Sequence, residues 1–262
     1  MIDKNYWLNF HFKDEYPIDV KCPTCVNGKL HILEKFAIRE TRDAIELQKQ
    51  EYFNYDFESI DEKFSGLLVC DFCNDVVAVC GTSNPESDYD PEELSHEHKY
   101  YRRFNVEYFS PPINIFPLKY EYPKKIKAIL KKSFSLFFMD NDSCGNKIRI
   151  SVEALLDELG IDRKNPDKDE TYSLNQRINI YNAVNKDIGE LMHSIRWIGN
   201  YGSHENSLSK SDILDAYIMI NHMLDYLYDN QENKISELSR SINENKRPAS
   251  QIFPKFDNLN GL

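Results

Sequence analysis

The sequence contains no run of about 18 apolar residues, the length a helix needs to cross a bilayer, and its first residues, Met-Ile-Asp-Lys-Asn-Tyr-Trp, carry no long apolar stretch of the signal-peptide kind. Both absences point to a protein that is not in a membrane and to a cytoplasmic setting. Positive charge is also in short supply, with 32 Lys and Arg against 43 Asp and Glu and a formal net charge of -11. A chain so acidic repels a nucleic-acid backbone on average, so binding to nucleic acid would need a local basic patch. The stretch Lys119, Lys124, Lys125, Lys127, Lys131 and Lys132 is one candidate, and a solvated helix face explains the same pattern. Internal repeats and low-complexity tracts are missing too.

What remains is a chain of 262 residues that is 41% hydrophobic and 13% aromatic, enough to bury a core and long enough for two domains. Residues 1–118 are expected to be β-rich. Short apolar stretches at Lys29–Ile32, Gly66–Val69 and Val76–Cys80 alternate with charged segments, and 81–98 read as an acidic loop. A proline-marked approach, Ser110 to Pro117, leads to a second domain at 119–243 in which apolar residues recur at helical spacing. One predicted helix opens after Pro123 and a second spans Asn146 to Leu159, with a turn at Asp140–Gly145 between them. A shorter one spans Leu174 to Ile180, and Val184, Ile188, Leu191, Met192 and Ile195 mark a further one that stops at Gly199–Asn200. The last follows a variant capping box, Ser209 with Asp212, and carries Ile213, Ala216, Tyr217, Ile220, Met223, Leu224 and Leu227 on one face. Residues 244–262 read as a tail.

The strongest chemical signal is Cys22-Pro-Thr-Cys25 followed at distance by Cys70-Asp-Phe-Cys73. Two C-x-x-C pairs supply four thiolates on two tight knuckles, the donor set of a structural zinc ion. Disulfides suit a reducing compartment poorly. A closed shell of four thiolates leaves no open coordination position, so the expected Zn2+ is structural and not catalytic. The expected fold is therefore α+β in two domains, a zinc ribbon-like module with an insertion at Glu34–Phe64 and then a helical bundle. Cys80 reads as a buried apolar residue, Cys144 as a free thiol, and His96 and His98 as loop residues without a metal.

A second constellation is Ile195-Arg196-Trp197-Ile198-Gly199-Asn200-Tyr201-Gly202-Ser203-His204. An imidazole near its pKa and a guanidinium that stabilises phosphate charge suffice to cleave RNA without metal, with Asn200 orienting either group. A helix terminus in which His204 merely bonds a carbonyl accounts for the same residues. Arg149 and Glu153 read as an ion pair one turn apart, and His193 as packing. Together with the helix opening at Pro123 and the segment Asn146 to Leu156, this stretch resembles the bacterial domain-of-unknown-function family 4145 over about Pro123 to Asn230. The resemblance implies an all-helical domain akin to the HEPN superfamily, whose members often dimerise, occur in toxin, restriction and anti-phage systems, and include metal-independent ribonucleases. Active ribonucleases of that superfamily carry R-x-x-x-x-H, whereas Gly199 stands in the arginine position here and Arg196 lies three residues earlier.

Two functions from different classes follow. One is a metal-independent endoribonuclease using Arg196, Asn200 and His204, and the other is a non-catalytic scaffold binding nucleic acid or a protein partner from the same defence system. A homodimer is expected in both.

Overall fold

The computed structural model of the chain describes residues 2–13, 18–50, 60–88, 99–165, 170–202, 207–229 and 239–248. A short helix, α1 (Lys4–Leu8), precedes seven strands: β1 (Phe12–Lys13), β2 (Ile18–Lys21), β3 (Lys29–Ile32), β4 (Ala37–Glu40), β5 (Glu62–Cys70), β6 (Val76–Asp88) and β7 (Lys99–Ser110). Helix α2 (Arg42–Gln50) lies between β4 and β5. All pairings are antiparallel, in the order β1-β7-β6-β5-β3-β2 with β4 on β5.

That order makes the sheet curl. Lys13 on one edge and Ile18 on the other are five residues apart in sequence, a span of at most about 18 Å. Six flat strands would separate the edges by about 24 Å. The sheet is therefore nearly closed, like a barrel. Its interior alternates inward with the strand period and centres on four phenyl rings, with Phe12 stacked on Phe104 and Phe64 edge-on to both. Phe36 completes the cluster because Gly66 lets its ring lie on β5, where an added Cβ would sit 2.1 Å from the ring.

This architecture overturns the expected zinc ribbon. A ribbon is a pair of small hairpins with the metal in place of a core, whereas here long β5, β6 and β7 enclose an aromatic core of their own and the cysteine pairs sit at one end of it. The reason lies partly in residues read as loop. Strand β6 runs through Pro85 to Asp88, in register with β7 as far as Asp88–Lys99.

Five helices follow as far as Tyr228, α3 (Lys124–Phe134), α4 (Asn141–Glu158), α5 (Leu174–Asn182), α6 (Lys186–Tyr201) and α7 (Lys210–Tyr228), and residues 239–245 are helical again. Asp140 caps α4 by accepting from Ser143 N–H, so the segment expected as a turn is the first turn of that helix. Both α5 and α7 begin with reciprocal capping boxes, Ser173 with Gln176 and Ser209 with Asp212. Helix α6 continues through Gly199 and Asn200 instead of stopping there. Gly199 is needed for close packing: a Cβ on it would lie 2.6 Å from Arg149 Cβ and 3.1 Å from the Gly145 carbonyl on α4.

One hydrophobic core links the sheet to the helices. Trp7 on α1 meets Phe137 and Phe138 after α3, Phe10 and Phe109 meet Phe138, and Lys4 pairs with Asp215 on α7 at 2.6 Å. No described helix is long and apolar enough to cross a membrane.

Candidate metal centre and the face of α6

Two turns of closely similar geometry bring the four cysteines together. Cys22 ends the strand region of β2 and Cys70 ends β5. In each turn the carbonyl of the first cysteine accepts from the residue after the second cysteine, Val26 N–H to Cys22 O at 3.0 Å and Asn74 N–H to Cys70 O at 3.1 Å. Those two residues, Val26 and Asn74, have left-handed backbones with φ of 57° and 58°. Backbone amides point at sulfur in both turns: Thr24 at Cys22 and Gly28 at Cys25, each 3.4 Å, then Phe72 and Cys73 at Cys70, 3.4 and 3.5 Å.

The turns also hold each other. Asp71 Oδ1 accepts from Lys29 N–H at 2.8 Å, Asp71 N–H donates to the Lys29 carbonyl at 3.1 Å, and Thr24 Oγ1 donates to the Asp75 carboxylate. Gly28 lies where the turns meet, and a Cβ there would be 2.4 Å from Cys70 Sγ. Its role is this close approach, while the left-handed turn is made by Val26.

All four Sγ atoms lie within 4.8 Å of one another. The pairs Cys22–Cys73 and Cys25–Cys70 are 3.7 and 3.6 Å apart. A tetrahedron of thiolates at a Zn–S distance of about 2.3 Å has edges of about 3.8 Å, whereas a disulfide is about 2.05 Å. The separations thus match metal ligands and not oxidised pairs. The sulfurs also act on one another electrostatically. The Gly28 N–H holds the Cys25 thiol down at about 6. Although the Asp75 N–H pulls the Cys73 thiol down, burial and the three neighbouring sulfurs push it up to about 12. All four sulfurs can be thiolates together only beside a cation that neutralises them, and their number, spacing and chemistry fit Zn2+. Asp71, Asp75 and Thr24 were not singled out from sequence, and the one available signal was their position inside or beside the C-x-x-C pairs.

The other predicted site residues lie on α6 and beyond. Arg196 lays its guanidinium over the Trp197 ring, 4.3 Å from the centroid. Its Nε is shielded from solvent and has no hydrogen-bond partner among the described residues. Asn200 is one turn further along α6. His204 lies outside the described residues, as do His96 and His98. Arg149 pairs with Glu153 at 2.7 Å, as expected, and also donates to Asn146. His193 bonds Asn179 at 2.9 Å. Exposed Trp197 and Tyr201 line an open groove of about 450 Å3 with Ile198, Leu208 and the α7 capping residues Ser209 and Asp212.

Other expectations change in detail. The basic stretch is neutralised only in part: Lys119 pairs with Asp225 and Asp229 and Lys125 with Asp157, Lys127 donates to the carbonyls of residues 119 and 120, and Lys124, Lys131 and Lys132 are exposed. Cys144 is fully buried against Tyr217 Oη at 3.1 Å, and Cys80 is half-buried on the outer face of the sheet.

No curated protein and no solved structure matches the chain. Residues 10–109 match the family model described as domain of unknown function DUF8608, which coincides with the sheet. Residues 131–245 match the model described as domain of unknown function DUF4145, and the helical part of the chain is thereby similar to that family.

Proposed function

We propose that this protein is a non-catalytic interaction module: a curled sheet stapled by one structural Zn2+ on Cys22, Cys25, Cys70 and Cys73, joined rigidly to a helical domain that helps present binding surfaces. The convergence of four thiolates carries this reading. Thiolates fill every position of a tetrahedral shell, so the ion supplies folding energy and rigidity but no Lewis-acid site. The net charge of -11 favours a protein partner over nucleic acid, and two lysines of the basic stretch, Lys119 and Lys125, are already paired within the chain. A setting in nucleic-acid-linked defence follows from the HEPN resemblance of the helical domain.

A second reading, a metal-independent endoribonuclease, is favoured by one observation. Arg196 keeps a shielded Nε–H with no partner among the described residues, on the helix that precedes His204 in sequence, with Asn200 one turn away. Incubating zinc-loaded protein with total RNA and chelator, beside Arg196→Ala and His204→Ala, separates the two. The interaction-module reading expects no cleavage by any of the three, while cleavage by the wild type that both variants lose would replace it with the ribonuclease.

A further inference from the structure

The four cysteines at the metal end differ in access to solvent. Cys22 and Cys70 are fully buried, Cys25 is half-buried and Cys73 is exposed. Backbone amides cover the buried sulfurs, Thr24 N–H on Cys22 and both Phe72 and Cys73 N–H on Cys70. Bound to zinc, every sulfur is a thiolate, the form that reacts with oxidants. Access then decides which reacts first, and it favours Cys73. The two remaining cysteines are less accessible: Cys144 is fully buried against Tyr217, and Cys80 is half-buried.

A second sulfur is in place to complete the reaction. Cys22 Sγ, on the other turn, lies 3.7 Å from Cys73 Sγ, and a disulfide is about 2.05 Å long, so a movement of less than about 2 Å joins them. Cys25 and Cys70 are then the only donors left, too few to hold a tetrahedral ion. The turns themselves stay joined without it. Asp71 and Lys29 exchange two hydrogen bonds, Thr24 donates to Asp75, and the rings of Phe12, Phe36, Phe64 and Phe104 fill the sheet on their own.

From these observations we infer that Cys73 is an oxidation site that controls the metal: a small neutral hydroperoxide oxidises it, a Cys22–Cys73 disulfide forms and the zinc ion leaves. The inference rests on the structural-zinc reading and names how that site is regulated. The Cys73 thiolate attacks one peroxide oxygen, the O–O bond breaks and hydroxide departs, leaving a sulfenic acid. The Cys22 thiolate then attacks the Cys73 sulfur, the S–O bond breaks and a second hydroxide leaves. The two sulfurs give up two electrons in all, which reduce the peroxide, and a thiol reductant reverses the disulfide. Asp71 and Asp75, two residues to either side of Cys73, add negative charge to a site where four thiolates already outweigh one divalent cation. Anionic oxidants such as oxidised glutathione are therefore repelled, and uncharged peroxide is not.

The test adds hydrogen peroxide to the full chain after zinc loading under reducing conditions and removal of the reductant. A chromophoric chelator reads the released zinc, circular dichroism the fold, and peptide mass spectrometry without reduction the disulfides. The wild type is expected to lose its zinc as the Cys22–Cys73 disulfide forms, to keep its strand signal, and to take zinc up again after reduction. Cys80→Ser should behave as the wild type, and oxidised glutathione at the same concentration should release far less zinc. Cys73→His keeps a fourth ligand without the accessible thiolate, and should hold its zinc through an exposure that empties the wild type. If that variant binds no zinc, the disulfide map of the wild type decides. Zinc retained under peroxide, a first disulfide other than Cys22–Cys73, or a Cys73→His protein emptied as fast as the wild type would overturn the inference and leave the zinc reading standing. A reduced protein with no zinc to release would overturn both.

Discussion

Asp71, inside the second cysteine turn, and Lys29, just beyond the first, exchange two hydrogen bonds: the Lys29 N–H donates to the Asp71 carboxylate at 2.8 Å and the Asp71 N–H to the Lys29 carbonyl at 3.1 Å. Groups that orient metal ligands contribute to affinity without touching the ion. Asp71→Ala is expected to weaken zinc binding by about 10- to 100-fold, and Asp71→Asn, which keeps an acceptor oxygen, by much less. Competition with a chromophoric chelator reads the difference. Equal affinities for the wild type and Asp71→Ala would show that the cross-turn bonds do not position the sulfurs.

The two left-handed residues of the turns are not equivalent. Asn tolerates a positive φ, whereas β-branched Val26 at φ 57° is strained by about 1–2 kcal/mol. Val26→Asn should therefore stabilise the protein by about 1 kcal/mol and Asn74→Val should destabilise it by a similar amount. Thermal or urea unfolding of the zinc-loaded proteins measures both, and a loss of stability in Val26→Asn would mean that the side-chain packing of Val26 outweighs its backbone strain.

Asp157 on α4 is the hub of the helical domain, bridging Arg163 at 2.7 Å, Lys125 at 2.9 Å and the buried Arg177 at 2.9 Å. Arg163 foremost, then Lys125 and Arg177, holds its carboxyl well below the usual carboxylate range. A carboxyl whose folded pKa is depressed contributes its full stabilisation above the unfolded value of about 3.9 and loses it as the pH falls through the folded value. The helical domain should accordingly lose stability progressively below about pH 4. Asp157→Asn should cost about 3 kcal/mol at neutral pH, because Arg177 is left buried without its counter-charge, and should flatten the acid dependence. Unfolding curves between pH 2 and 7 test both; an unchanged acid limb in the variant would assign the dependence to other carboxylates.

Local signals in the sequence were reliable where one short segment determines the outcome. The paired cysteines, the Ser209–Asp212 cap and the Arg149–Glu153 pair all depend on residues a few positions apart or on a donor set that few other uses explain. The sheet was less legible because its stability is non-local. Phe12 and Phe104 stack across 92 positions of chain, and the long β6 contains Pro85 and many polar residues that read as a loop until β7 pairs with them. Gly199 was misread for a related reason: a glycine before a polar run signals a helix end, and only the approach of Gly145 on α4 shows it to be a packing residue inside α6.

The most direct test of the central claim is the mass of the intact protein under native conditions, compared with its mass after denaturation in acid, together with a count of free thiols. The account predicts one zinc ion per chain, lost on acidification, and loss of that ion in Cys25→Ser and Cys70→Ser. A metal-free native protein with all four thiols free, or one in which Cys22, Cys25, Cys70 and Cys73 are joined as disulfides, would contradict it.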